Sequence, residues 1–371
     1  MTQADIPPAT RHLVSLDGLR GVAALMVVAL HMGLLLGPAL TPHSAHLAVD
    51  FFFCLSGFVL CYAYRDRLDA GLSARSFMLL RLIRLGPLFF CGMVLGLGAA
   101  LVTIAVGGAS LASMARDSLI GIVGLIGLPA PAFRTSMALY PLNVPAWSLF
   151  LEIVANCIFA MFYRYLSRRV ATIGMAISLL AILVSSTLFG GLMGGNDWHS
   201  VQLGIARVCW SFPLGGVVFV IWSRGGLPLL SRFAWVTYPL LVLLLFVDVP
   251  ATLRPAYDLA CVCIAFPAIV LAAAQYRGAG IASRAERSLG KASYAIYITH
   301  VPIGFVYAAA LSRISGGPAQ YLAPWGGLIF LPLIFGIALL LDRYVDLPIR
   351  RFLTRRHRTS PRRLKDEVCV P

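Results

Sequence analysis

Ten stretches of this chain are apolar for roughly twenty residues at a time, and a water-soluble fold has no room for so many. They run approximately over 16–37, 47–64, 85–107, 146–163, 170–190, 202–222, 234–249, 257–275, 292–312 and 322–344. About 20 helical residues cross the ~30 Å hydrocarbon core of a bilayer. Inside lipid, only a helix or a closed barrel satisfies its own backbone. The fold predicted is therefore all-α, a polytopic membrane bundle of about ten transmembrane helices. Composition agrees: 59% of the residues are hydrophobic and 12% charged, where a soluble domain carries about 25% charge.

The charge is strongly one-sided, +15 from 30 Lys+Arg against 15 Asp+Glu. Nucleic-acid binding would need a continuous basic patch, and none is present; the arginines sit in short loops between the apolar runs, which makes them topology markers. With the N-terminus cytoplasmic and 118–130 not crossing, the inside loops hold Arg65, Arg67, Arg75, Arg81, Arg84, Arg164, Arg168 and Arg169. Arg224, Arg232, Arg277, Arg284, Arg287, Lys291 and the basic tail from Arg350 to Lys365 join them. Only Arg116, Arg134, Arg254 and Arg313 remain outside. Counting 118–130 as a span destroys this bias, so that segment is read as re-entrant or interfacial and both termini as cytoplasmic. Residues 1–15 form an N-terminal segment without signal-peptide features. Residues 16–349 form the membrane domain. Residues 350–371 read as a disordered tail held against anionic lipid. The eight cysteines, Cys369 being the only one outside the apolar stretches, contain no CxxC pair, so neither a metal site nor a disulfide framework is expected.

Ionisable groups inside a span are expensive and mark function. Arg20 and His31 lie eleven positions apart in the first apolar run. That is about three helical turns plus 20°, so they share a face about 16 Å apart along the axis. The plainer reading of His31 is a structural hydrogen-bonder. Asp50 opens the second run close to the depth of His31, where a carboxylate can set the imidazole's tautomer and basicity; otherwise it is a helix N-terminal charge at the water interface. Ser56 and Gly57 read as small packing residues. Arg81 and Arg84 share a helix face and suit phosphate, or serve only as positive-inside anchors. Ser148 and Glu152 share a face beside Trp147, and Tyr297 and His300 form a polar stripe with Tyr294 one turn earlier; these groups should face the bundle interior.

Six of these stretches stand in one order: LDGLRGVAALMVVALH, AVDFFFCLSGFVL, RLIRLGP, PAWSLFLE, LGKASYAIYITH and YVDLPIRR. Together they resemble the acyltransferase 3 family of integral membrane acyltransferases, from Leu16 to about Arg351. The resemblance implies transfer of an acyl group, usually acetyl, from cytoplasmic acyl-CoA to a hydroxyl of an envelope carbohydrate or sometimes a macrolide. It implies residence in the bacterial inner membrane. It maps the family's Arg–His signature onto Arg20 and His31, its paired basic motif onto Arg81 and Arg84 as ligands of the CoA phosphates, its WSL…E motif onto Trp147, Ser148 and Glu152, and its YxxH-like element onto Tyr297 and His300. Two departures are mild: Ala48 where Gly is frequent, and Asp346 where Glu is usual. A transporter or flippase of a lipid-linked sugar is the other reading of interior polar groups, although two similar halves are not evident.

Overall fold

The computed structural model describes residues 13–38, 41–105, 121–132, 136–165, 167–231, 234–276 and 281–358. The N-terminal segment up to His12, Arg116, Arg134, Arg232, Arg277, Lys365 and Cys369 lie outside the described residues, as do 118–120 of the proposed interfacial segment.

Among the described residues nine helices are long and apolar enough to cross a membrane. We label α1 Val14–Leu36, α2 Ala48–Asp69, α3 Ala74–Ala105, α4 Ala146–Phe162, α5 Arg168–Leu188 and α6 Val201–Ser223. A short α7 follows at Thr237–Phe246, then α8 at Arg254–Gln275, α9 at Ile281–Ser315, α10 at Trp325–Leu341 and α11 at Leu347–Arg358. The outer faces are apolar: Ile173, Ile177 and Leu180 of α5 are 60%, 64% and 62% exposed, a lengthwise stripe suited to lipid. The chain is a multi-pass membrane protein.

The run at 234–249 departs from the expected full span. It is realised as a 3₁₀ turn at Ala234–Val236 and the ten-residue α7, a rod of about 15 Å. One side-chain and one backbone hydrogen bond tie its two ends to neighbouring segments. The Tyr238 hydroxyl donates to the Ser15 carbonyl at the start of α1 (3.1 Å), while the Leu245 carbonyl accepts from the Ser44 amide beyond its end (3.1 Å). The described part of the 118–130 segment holds a 3₁₀ turn, Ile122–Ile126, closed by left-handed Gly127. The tail is corrected at its start: residues 350–358 continue helix α11 rather than being disordered, the turn being tied by an Arg350–Asp346 pair at 2.9 Å.

Two helix pairs form the core. α2 and α6 meet at Gly57 and Gly215, where an added Cβ would collide with the carbonyls of Phe212 and Cys54. α1 and α9 run parallel: Gly21 rests on Leu289, Arg20 reaches Gly290, and His31 reaches His300. Prolines shape the second pair and the last rod. Pro302 inside α9 leaves the Ile298 carbonyl without its helical donor, and Asn143 Nδ2 supplies one at 2.7 Å. Two π turns, Cys261–Ala265 and Asp342–Asp346, each end two residues before a proline, Pro267 and Pro348. The proline ring collides with the carbonyl four residues back, which lies inside the widened turn in both cases.

Candidate active site

α1 and α9 present their polar groups to one another. Arg20 donates from Nε to Ser293 Oγ at 2.8 Å and from Nη2 to the Gly290 carbonyl at 2.9 Å, and pairs with Asp17 at 3.1 Å. Three turns further on, the His31 and His300 rings lie 4.9 Å apart between centroids.

The tautomers follow from the acceptors. His300 Nδ1 lies 3.0 Å from the Ile296 carbonyl and 2.8 Å from the Tyr297 carbonyl. A carbonyl can only accept, so we assign the proton of His300 to Nδ1, which leaves its Nε2 an acceptor. That Nε2 faces His31 Nδ1 at 3.2 Å, and His31 Nδ1 also lies 2.9 Å from the Val27 carbonyl. His31 therefore carries its own proton on Nδ1, shared between two acceptors, and its Nε2 keeps a lone pair for chemistry.

The carboxylate expected beside His31 is elsewhere. Asp50 is fully buried and accepts from Arg207 Nη2 at 2.7 Å and Nε at 3.0 Å, and from Ser211 at 3.3 Å. Arg207, itself 1% exposed, also donates to the carbonyls of Gly194 and His46, and its guanidinium lies 5.6 Å from the Trp147 ring. Asp50 turns away because a guanidinium offers a fully buried carboxylate several charged donors, which a neutral imidazole cannot. His300 takes the place next to His31. Sequence reasoning did not single out Arg207, although it carries the signal that marked Arg20: a cation inside an apolar helix.

A cavity of about 430 Å³ opens among α1, α2, α3, α4, α9 and the α10–α11 junction. Arg20, Arg81, Arg84, Arg287, Lys291 and Arg350 line it, against Asp17, Glu152, Asp342 and Asp346. Arg81 and Arg84 are not equivalent there. Arg81 is buried and bonded to Glu152 Oε1 at 3.1 Å, an oxygen that Ser56 also reaches at 2.5 Å, so Ser56 is a polar partner as well as a packing residue. The cavity wall includes Ser148 and Tyr297, hydrogen-bonded to each other at 2.7 Å, with Phe52 edge-on to the Tyr297 ring. Neither His31 nor His300 lines this cavity, but the Tyr297 and His300 rings lie 6.1 Å apart. Trp147 sits behind Ser148 on α4, against Gly195 and Gly204 rather than in the cavity. The arrangement can hold a polyanion at its arginine end and an uncharged arm reaching toward a neutral imidazole pair.

Residues 13–343 match the family described as an acyltransferase domain. Two curated proteins are similar. "Protein 2 in picA locus" of Rhizobium radiobacter is 35% identical over 195 residues, 49% of this chain and 98% of that protein. "Acyltransferase MdmB" of Streptomyces mycarofaciens is 28% identical over 410 residues, 98% of both chains. No solved structure matches the chain.

Proposed function

This chain belongs to the acyltransferase family, and we propose that it moves an acyl group, acetyl by family habit, from cytoplasmic acyl-CoA to a hydroxyl of an extracytoplasmic carbohydrate across the bacterial inner membrane. The observation that carries this reading is the coupled His31–His300 pair, which stands behind Tyr297 next to a cavity lined by six cations. Six cations against four carboxylates suit the phosphates of CoA. The apolar and hydroxyl-bearing walls toward Tyr297 suit an uncharged thioester arm.

The chemistry asked of His31 is modest. Its Nε2 lone pair takes the proton of an acceptor hydroxyl as the hydroxyl oxygen attacks the thioester carbonyl; the C–S bond breaks and the thiolate leaves. His300 Nε2 accepts from His31 Nδ1–H throughout, so it holds the productive tautomer and steadies the imidazolium that forms, as a carboxylate does in other general-base pairs. Glu152 is held by Arg81 and Ser56 and keeps the cavity wall polar at mid-depth. Arg20 fixes α1 against α9, so the depth of His31 is set relative to His300.

The test is acyl transfer by purified protein in lipid nanodiscs, followed as CoA release and acceptor mass. His31→Ala should lose about 10²–10⁴-fold in rate with CoA binding retained. His300→Ala should lose less and shift the pH profile, because His31 keeps its Nε2 but loses its orienting partner. Wild-type rates in His31→Ala would remove the imidazole from the mechanism.

A further inference from the structure

The cavity wall changes character along its depth, and contacts between helices fix the levels. Arg20 meets α9 at Gly290 and Ser293. Seven residues after Gly290, about 10 Å along the helix, Tyr297 meets Ser148 of α4 and Phe52 of α2. On α3, the Leu85 carbonyl accepts from the Tyr294 hydroxyl at 2.6 Å and Gly92 abuts Ile298, so Leu88 between them stands near the level of Tyr297. The wall at this level is largely hydrocarbon: Val49 and Phe52 of α2, Leu88 of α3 and Leu149 of α4 line it beside the two hydroxyls. Phe52, Ser56 and Val59 share one face of α2, and all three are only partly buried, so that face opens to the cavity. Ser56 reaches Glu152 one turn nearer the cations, and Val49 stands one turn beyond Phe52 on the opposite side.

A thioester arm that enters past the arginines brings its carbonyl to the Ser148 and Tyr297 hydroxyls, and the acyl group it carries continues beyond them. There it meets Phe52 and Val49, with Leu88 and Leu149 at the sides. We propose that these four side chains form the pocket for the acyl group itself, and that the Phe52 ring ends that pocket and limits the length of the acyl chain. Phe52 suits the task because its ring is set edge-on against Tyr297, with centroids 5.4 Å apart, and so stands as a fixed stop. Each methylene that fits such a pocket adds affinity, and one that overfills it forces the walls apart. The inference rests on the acyl-CoA reading above and adds the choice of acyl group to it.

Unreactive S-alkyl-CoA thioethers read the pocket without any acceptor, by titration calorimetry on the protein in lipid nanodiscs. From CoA through S-ethyl-CoA to S-butyl-CoA and S-hexyl-CoA, wild-type affinity should rise by about fourfold per methylene while the pocket fills, then fall by S-hexyl-CoA. Phe52→Ala should bind S-hexyl-CoA at least about tenfold more tightly than wild type does, and CoA itself within about twofold of wild type. If Phe52→Ala does not accumulate as folded protein, Phe52→Leu carries the same comparison. Wild-type affinity that keeps rising through S-hexyl-CoA, or a variant that changes S-hexyl-CoA and CoA binding equally or not at all, overturns the proposal. Wild-type protein that does not bind CoA would instead sink the acyl-CoA reading itself, a failure visible before any variant is made.

Discussion

Asp50 and His31 show how far single residues can be read. Both were recognisable as expensive groups in apolar helices, and their similar depth made a dyad reasonable. The structure gives each a different partner, Arg207 for Asp50 and His300 for His31. Arg207 and Asp50 form a fully buried ion pair. Breaking one half of such a pair strands the other charge, at about 3–5 kcal/mol. Arg207→Met should therefore destabilise the protein by about that much, seen as a lowered midpoint of thermal unfolding in detergent. Adding Asp50→Asn should recover a large part of the loss. If the double variant is no more stable than the single one, the pair is not what holds these helices. Arg20, Arg84, Ser148, Glu152 and Tyr297 all reach the one cavity, as their positions on helix faces suggested. Trp147 instead supports it from behind, and no reading of α4 alone could say on which side of Ser148 the indole would fall.

At the scale of elements, the long helices were legible because a bilayer demands them, and α7 was not, because its ends are tied to neighbouring segments by hydrogen bonds that an apolar run does not reveal. Prolines are the other source of surprise. A proline in an apolar run reads as a kink, but what satisfies the freed carbonyl depends on a neighbour far away in the chain. In α9 that neighbour is Asn143. Asn143→Ala should cost about 1–3 kcal/mol by leaving the Ile298 carbonyl without its donor. In a Pro302→Ala background the restored backbone N–H should take over, and the penalty should shrink below about 1 kcal/mol. Thermal unfolding of the four proteins completes the cycle; an unchanged penalty in the Pro302→Ala background would show that Asn143 acts through something else.

Across the whole molecule, the parallel course of α1 and α9 requires an odd number of crossings between them, and α2 to α8 supply one only if the short 234–249 segment, tied at both ends, counts as a crossing. The arginine bias predicts an even total and both chain termini in the cytoplasm. Fluorescent-protein fusions at either terminus should be bright, and alkaline phosphatase fusions at the same points should be inactive. An active C-terminal phosphatase fusion beside a bright N-terminal fluorescent one would mean an odd number of crossings and overturn this topology.

The sequence by itself determined the membrane, the helices and the residues too costly to be there without purpose, because each follows from local physics: hydrocarbon thickness, helical pitch and the expense of burying charge. Tertiary structure alone decided the pairings. Whether Asp50 meets His31 or Arg207, whether Asn143 reaches α9, and whether His31 finds His300 depend on contacts between segments far apart in the chain, up to 273 positions for Arg20 and Ser293. A carboxylate goes to the strongest donor within reach, and only the packed bundle defines that reach.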